Sequence, residues 1–467
     1  MKSTHFTPIQ PGSRTDAWLS RHFDSAQFSY QEIFGMFGPL LIDQFFIYLI
    51  GMLTTSMISS SSQESVSAVS LVSPLTYMII ALSNAVASGG TVVVAQYKGK
   101  GDQEKMRRAA GQVVFASFMV ALATCTLLLV VSDSMVNWMF GTADAVIREK
   151  ATAYTIGFGI SLIPFSLYNG VFAVLRGVGD TKTCLRLTVI INLIHLFASM
   201  LFLNVMKLDI LGTTLSYNIA RLIGGGVAVY LLVTPQGRLT VPLRELVHID
   251  WNYQKSIFQI GIPFAAEQIF FNGGSLIVQS YISGMSNAQI AANAITNSSF
   301  GLFYSAGLSV STLTITIVGQ CIGAGDIPLA KKYGKRMILL GSISCLASVL
   351  ILGPLLPLIL SLYSPHAETL TIIYQLIVIG AIPLPFVWAL SNVTPSILRA
   401  AGDANFTSIF SLLTMWVIRV GLGYLAAVPL GLGIHGVWIS MGLEWVVRAV
   451  VFSIRFCGNK WYCHKVI

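Results

Sequence analysis

Apolar positions in this chain fall in long unbroken runs, not on one face of a soluble helix or in the alternation of a half-buried strand. Twelve such runs follow one another, at about 33–57, 70–95, 110–131, 152–175, 183–204, 211–233, 257–282, 290–320, 336–360, 371–397, 406–428 and 434–456. Spanning the hydrocarbon core of a bilayer takes about 20 predominantly apolar residues in a helix. The pattern therefore predicts twelve transmembrane helices, with links too short for a folded extramembrane domain. The first thirty residues are polar, with Arg14, Asp16, Arg21 and Asp24, and lack the basic-then-apolar order of a cleaved signal peptide. They are expected to form a cytoplasmic arm, partly as an amphipathic helix.

The pattern is written twice. Gly38-Pro39-Leu40-Leu41-Ile42-Asp43-Gln44 returns as Ile262-Pro263-Phe264-Ala265-Ala266-Glu267-Gln268, and QYKGKGD from Gln96 returns as QCIGAGD from Gln320, both 224 residues on. LRGVGD from Leu175 returns as LRAAGD from Leu398 after 223. A period this long means two copies of a multi-helix unit, not a solenoid. Six spans per copy is an even number, so the second copy enters the membrane in the same orientation as the first. The expected fold is an all-α membrane protein of 12 transmembrane helices in two parallel six-helix repeats, with a substrate cavity between halves that rock to give alternating access. The boundaries read as an arm at 1–30, an N-lobe at 31–240 holding spans one to six, a C-lobe at 241–456 holding spans seven to twelve, and a cytoplasmic tail at 457–467.

Composition excludes an ordinary soluble domain: 54% of the 467 residues are hydrophobic, 10% are charged, and mean hydropathy is +0.74. The net charge of +9 invites a nucleic-acid partner, but its distribution decides otherwise. Lys98, Lys100, Lys105, Arg107 and Arg108 follow span two, Lys331, Lys332, Lys335 and Arg336 follow span eight, and Arg455, Lys460 and Lys465 close the chain, all on one side. The opposite side shows Arg148, Lys150 and Lys207. Both termini are therefore expected in the cytoplasm. The six cysteines are scattered, without zinc-ligand spacing or a need for disulfides. The glycine-rich loops do not match the GxxxxGK[ST] phosphate cradle, and read instead as tight turns with an aspartate capping the next helix. The expected energy source is an ion gradient, H⁺ or Na⁺, with no other cofactor, and the reading is not that of an enzyme.

The candidate chemistry is a set of ionisable residues at membrane depth. Asp43 and Glu267 lie about mid-way through spans one and seven, where an acid costs roughly 2.5 to 3.5 kcal/mol on insertion scales and so needs a cavity or a partner. Gln44 and Gln268 follow them, with amides able to ligate or orient. Pro39 and Pro263 stand one turn earlier, each removing a backbone donor and freeing a carbonyl. His195 and Arg419 are themselves 224 apart, in spans five and eleven, and are the expected partners of Asp43 and Glu267 respectively. Protonation of a carboxylate would break such a pair and release the half that carries it. Arg221 also lies at depth, and Glu444 and Arg448, four apart in span twelve, read as a local ion pair. Aromatic residues such as Tyr77, Tyr168, Tyr281, Phe300, Tyr304 and Trp388 are mostly packing residues, a minority of which would line an adaptable cavity for flat cations.

With its twelve spans in two parallel halves, QYKGKGD and QCIGAGD after spans two and eight, and LRGVGDTK and LRAAGDAN after spans four and ten, the chain resembles the multidrug and toxic compound extrusion (MATE) family from about residue 30 to 456. The resemblance implies a V-shaped, two-lobed antiporter of the bacterial inner membrane, exchanging H⁺ or Na⁺ for organic, cationic and amphipathic compounds and working as a monomer among membrane lipids. Similar members carry a span-one aspartate where this chain has Met52-Leu53-Thr54-Thr55, and NorM-type members a span-seven glutamate where it has Phe271. Asp43 and Glu267 therefore stand as candidates on their own positions. Two other readings are a flippase for a lipid-linked precursor, which needs a strongly basic cavity, and a gated channel or membrane sensor, which needs a filter loop or a soluble domain.

Overall fold

The protein is described by a computed structural model covering residues 13–467 apart from 26, 60–61, 142, 235–238, 362 and 364, and apart from the side chains at 15, 51–59 and 63. It is all-helical among these residues. A short helix α1 (Arg14–Phe23) precedes the first repeat, α2 (Tyr30–Ser59), α3 (Gln63–Lys100), α4 (Gln103–Met139), α5 (Ala145–Val178), α6 (Thr181–Ser199, prolonged by a π-helical turn at Met200–Val205) and α7 (Asp209–Val233). The second repeat runs α8 (Trp251–Ile282), α9 (Asn287–Gly323), α10 (Ile327–Ser361), α11 (Ala367–Ala381), α12 (Ala389–Ala400), α13 (Ala404–Thr414), α14 (Gly423–Ala427) and α15 (Gly433–Cys457). Wider π-helical turns at Leu384–Trp388 and Met415–Leu422 join α11 to α12 and α13 to α14, so these pairs form spans ten and eleven. Eleven stretches among the described residues are long and apolar enough to cross a membrane. The remaining expected span is α8, which has the length but carries Gln254, Glu267, Gln268 and Asn272.

The glycine-aspartate loops are turns and caps in both repeats. Gly101 and Gly325 each hold φ 77°, and Gly179 and Gly402 hold φ 85° and 93°, a left-handed backbone that glycine enters without a Cβ clash. Asp102 accepts the backbone N–H of Lys105 at 3.0 Å, Asp326 that of Leu329 at 2.9 Å and Asp180 that of Thr183 at 3.4 Å, filling orphan donors at helix N-termini. The Lys105 amide holds the Asp102 carboxyl below its ordinary range. Asp403 departs from the pattern. Its carboxylate takes Arg455 through Nε at 2.7 Å and the amino group at 3.2 Å, and lies 3.1 Å from His464 Nε2, tying the tail to the loop.

Packing divides the chain into two compact units. One holds the described residues up to Phe45 together with Phe270–Val466, and the other holds Phe46–Ile269. This differs from the lobes read at 31–240 and 241–456, because the first part of α2 packs with helices of the second repeat and the first part of α8 with helices of the first. In the former unit, Ile33, Met36 and Leu40 are buried with Val310, Leu313 and Ile317 of α9, and Ser309 Oγ donates to the Leu40 carbonyl at 3.1 Å. Phe23 and Phe28 join this core, and the Tyr333 hydroxyl donates to the Phe23 carbonyl at 2.8 Å, so the arm is part of the folded unit. In the latter unit α8 lies close on α3: a Cβ on Gly89 would stand 2.4 Å from the Ile257 carbonyl oxygen and 3.1 Å from the Gly261 nitrogen. Gln112 of α4 fixes the start of α8, its Oε1 accepting the Asp250 N–H at 3.0 Å and the Gln254 amide at 2.8 Å.

Candidate functional site

Both candidate acids are buried, Asp43 at 1% and Glu267 at 4% exposure, while Gln44 and Gln268 are half-buried. Each acid lies on a helix that keeps a proline within it, Pro39 in α2 and Pro263 in α8. The chain passes from one compact unit to the other at Phe45 in α2 and at Ile269 in α8, two residues past the acid in each case. The repeat that pairs the two acids in sequence thus also pairs these crossing points. Met52-Leu53-Thr54-Thr55, where similar transporters carry an acid, has side chains outside the described residues.

His195 is engaged elsewhere than with Asp43. Its ring stacks on Tyr217 of α7 at 4.4 Å between centroids, at 6% exposure, and its Nε2 has no hydrogen-bond partner among the described residues. One turn beyond Tyr217, Arg221 is 8% exposed and sits in an aromatic cage, its guanidinium 4.8 Å from the Phe165 ring centre, 5.0 Å from that of Tyr217 and 5.4 Å from that of Phe158. A guanidinium nitrogen donates to Ser161 Oγ at 2.5 Å. Phe158, Ser161 and Phe165 follow the three-and-four spacing of a single face of α5, which is why one helix supplies them all. No carboxylate among the described residues pairs with Arg221. Cation–π contacts contribute about 0.5 to 2 kcal/mol each, against an effective penalty of several kcal/mol for a buried ion, so the cage offsets the burial only in part.

The second repeat solves the same problem with an acid. Arg419 lies in the π-helical turn after α13 and pairs with Glu444 of α15, Nε to Oε2 at 2.5 Å, and Arg448 approaches the other carboxylate oxygen at 3.4 Å. Glu444 is fully buried. The local pair with Arg448 is present as the spacing predicts, but the partner of Arg419 is Glu444, not Glu267. The Arg419 guanidinium also lies 5.3 Å from the ring centre of Phe271, and the Tyr281 hydroxyl donates to its carbonyl at 3.3 Å. Arg419 and His195 are repeat-equivalents, yet 224 residues before Glu444 stands Ala220, and before Arg448, Gly224. The alignment is firm here: Gly212 and Ser216 match Gly436 and Ser440, and both serines donate to the carbonyl three residues back, Ser216 to Thr213 and Ser440 to Val437, each at 2.8 Å. Each repeat therefore holds an arginine at depth, at non-equivalent positions since Trp445 matches Arg221, and the carboxylate of Glu444 has no counterpart at its equivalent position in the first. The aromatic cage was legible as spacing, Tyr217 four residues before Arg221 and Phe158, Ser161 and Phe165 on one helix face, but spacing does not say that the two helices meet.

A duplicated all-helical membrane domain with buried ionisable groups in each repeat has the form of a polytopic transporter. The MatE family model matches the chain twice, at residues 39–201 and 263–425, with the two matches offset by the sequence repeat. The chain belongs to the MatE family, a transporter family and not an enzyme family. It is 25% identical over 434 residues to a protein described as the uncharacterized transporter YisQ of Bacillus subtilis, covering 92% of this chain and 94% of that one. It is 24% identical to a probable multidrug resistance protein NorM of Thermotoga maritima, covering 94% of both. Among solved structures the fold matches that of a MOP superfamily transporter from Pyrococcus furiosus, described as having a binding pocket of reverse polarity that suggests a different function (TM-score 0.82, 19% identity, covering 91% and 95%). It also matches a MATE transporter crystallised in a straight conformation (TM-score 0.82, 18% identity, covering 91% and 96%).

Proposed function

We propose that this MatE-family transporter is an ion-coupled antiporter that exports organic solutes, with Asp43 and Glu267 as its coupling carboxylates. The observation that carries the reading is their shared placement, each buried and each two residues before its helix passes from one compact unit to the other. The charge a carboxylate holds responds to the polarity of its surroundings and to the groups beside it. Placed next to a crossing point, that change of charge acts on how the first part of α2 or α8 is held in its unit. A proton needs only the carboxylate, whereas Na⁺ needs several convergent oxygens, so H⁺ is the preferred coupling ion. Glu444 is set aside for the role because its carboxylate is already engaged by Arg419 and Arg448. His195 and Arg419 are accordingly reassigned from coupling partners to interior groups engaged elsewhere, by the Tyr217 ring and by Glu444 respectively. Gln44 and Gln268 are kept as groups that orient their neighbouring acids.

The cell is proposed to carry this protein as a monomer in the bacterial inner membrane, with both termini cytoplasmic. The test is reconstitution into vesicles with H⁺ or Na⁺ gradients imposed separately, following uptake of an organic solute. Uphill movement under the H⁺ gradient alone is the expected result. Transport that ignores both gradients would refute the coupling.

A further inference from the structure

We infer that the interior of the first repeat is an anion-binding site, built for the acidic group of an organic solute with an apolar body. The inference rests on the transport reading above and names the substrate class for it. Export of organic cations, expected from the family resemblance, places the charges the other way round.

The site is His195 and Arg221, both in contact with the Tyr217 ring: His195 stacks on it, and the Arg221 guanidinium lies 5.0 Å from its centre. Both are more than nine-tenths buried, at 6% and 8% exposure. Arg221 has five N–H donors, of which the Ser161 hydroxyl takes one. The Nε2 of His195 has no hydrogen-bond partner among the described residues. Buried polar groups are paired as a rule, and each exception needs a reason. An acidic ligand group supplies it, because a carboxylate meets a guanidinium in a fork of two parallel hydrogen bonds. The rings of Phe158, Phe165 and Tyr217 around the cation offer flat apolar surface to the rest of the solute.

The second repeat offers a contrast. There Arg419, the repeat-equivalent of His195, pairs with Glu444, whose own equivalent in the first repeat is Ala220, while Trp445 stands where the first repeat has Arg221. Arg419 and Arg448 of the second repeat thus carry a built-in carboxylate, and among the described residues Arg221 of the first has none.

The test uses equilibrium dialysis of the purified full-length protein in detergent against three probes that share a ring system: 1-naphthylacetate, neutral 1-naphthylacetamide and cationic 1-naphthylmethylammonium. No gradient is needed, so the outcome is independent of coupling. The acid is expected to bind at least tenfold more tightly than either of the others. Arg221→Gln removes that preference, and Arg221→Lys keeps part of it because the charge stays while the fork is lost. Should Arg221→Gln not fold, His195→Ala carries the test, with at least a threefold loss of affinity for the acid and none for the amine. Equal or tighter binding of the amine by the parent, or a preference for the acid untouched in every folded variant, overturns the site. Acid binding without gradient-driven transport leaves the site standing and refutes the coupling, whereas gradient-driven export of the amine alone does the reverse.

Discussion

Glu444 carries two arginines on one carboxylate with no exposure to solvent. Removing a buried acid while its partners stay leaves uncompensated charge, at a cost of about 3 to 5 kcal/mol. Glu444→Gln is therefore expected to lower the midpoint of thermal unfolding in detergent far more than Glu104→Gln, whose ion pair to Arg108 is on the surface. Equal midpoints for the two would show the triad to be inert. At this scale the sequence was informative about types and poor about contacts. The acids and bases at depth could all be picked out by their rarity in apolar runs, but beyond the local pair of Glu444 and Arg448 their partners could not. A repeat of 224 says that His195 and Arg419 occupy equivalent places, and nothing about what stands opposite them. Arg419 found Glu444 on the next span, and His195 found the Tyr217 ring.

Elements were the most legible level, because their signals are local. Glycines that must adopt positive φ and aspartates that cap the following helix are printed in the loops of both repeats, and Gly101, Gly179, Gly325 and Gly402 take up that conformation. The π-helical turns at Met200–Val205 and Met415–Leu422 had no such signal, since an extra residue in a turn leaves composition unchanged. Close approach of α3 and α8 is a property of this level, and it rests on Gly89. Gly89→Val adds side-chain atoms where the Ile257 carbonyl already stands 2.4 Å from a single Cβ, an overpacking expected to cost about 1 to 3 kcal/mol. Disulfide cross-linking between cysteines placed at Ala85 and Gly261 should fall in that variant; unchanged cross-linking would mean that the helices part elsewhere. The tail is held by Asp403 through Arg455 and His464. Asp403→Asn should expose the bonds around Lys460 to trypsin, and a digestion rate equal to the parent's would assign the tail's hold to the buried Trp461 alone.

For the whole molecule, the duplication predicted the number of spans and their two sets, and both the family match at 39–201 and 263–425 and the helices agree. What it could not predict is where packing divides the chain. Repeats are defined by ancestry of sequence, compact units by contacts, and α2 and α8 each belong to one by descent and to both by packing. That is why the two acids gain meaning from the structure: they sit two residues before the crossings. The most direct test follows uphill movement of 1-naphthylacetate and of 1-naphthylmethylammonium into vesicles under an imposed H⁺ gradient, for the parent, Asp43→Asn, Glu267→Gln and the double variant. Uphill movement of at least one probe by the parent, lost in the double variant while downhill exchange continues, is the predicted result. Undiminished uphill transport in the double variant would contradict it.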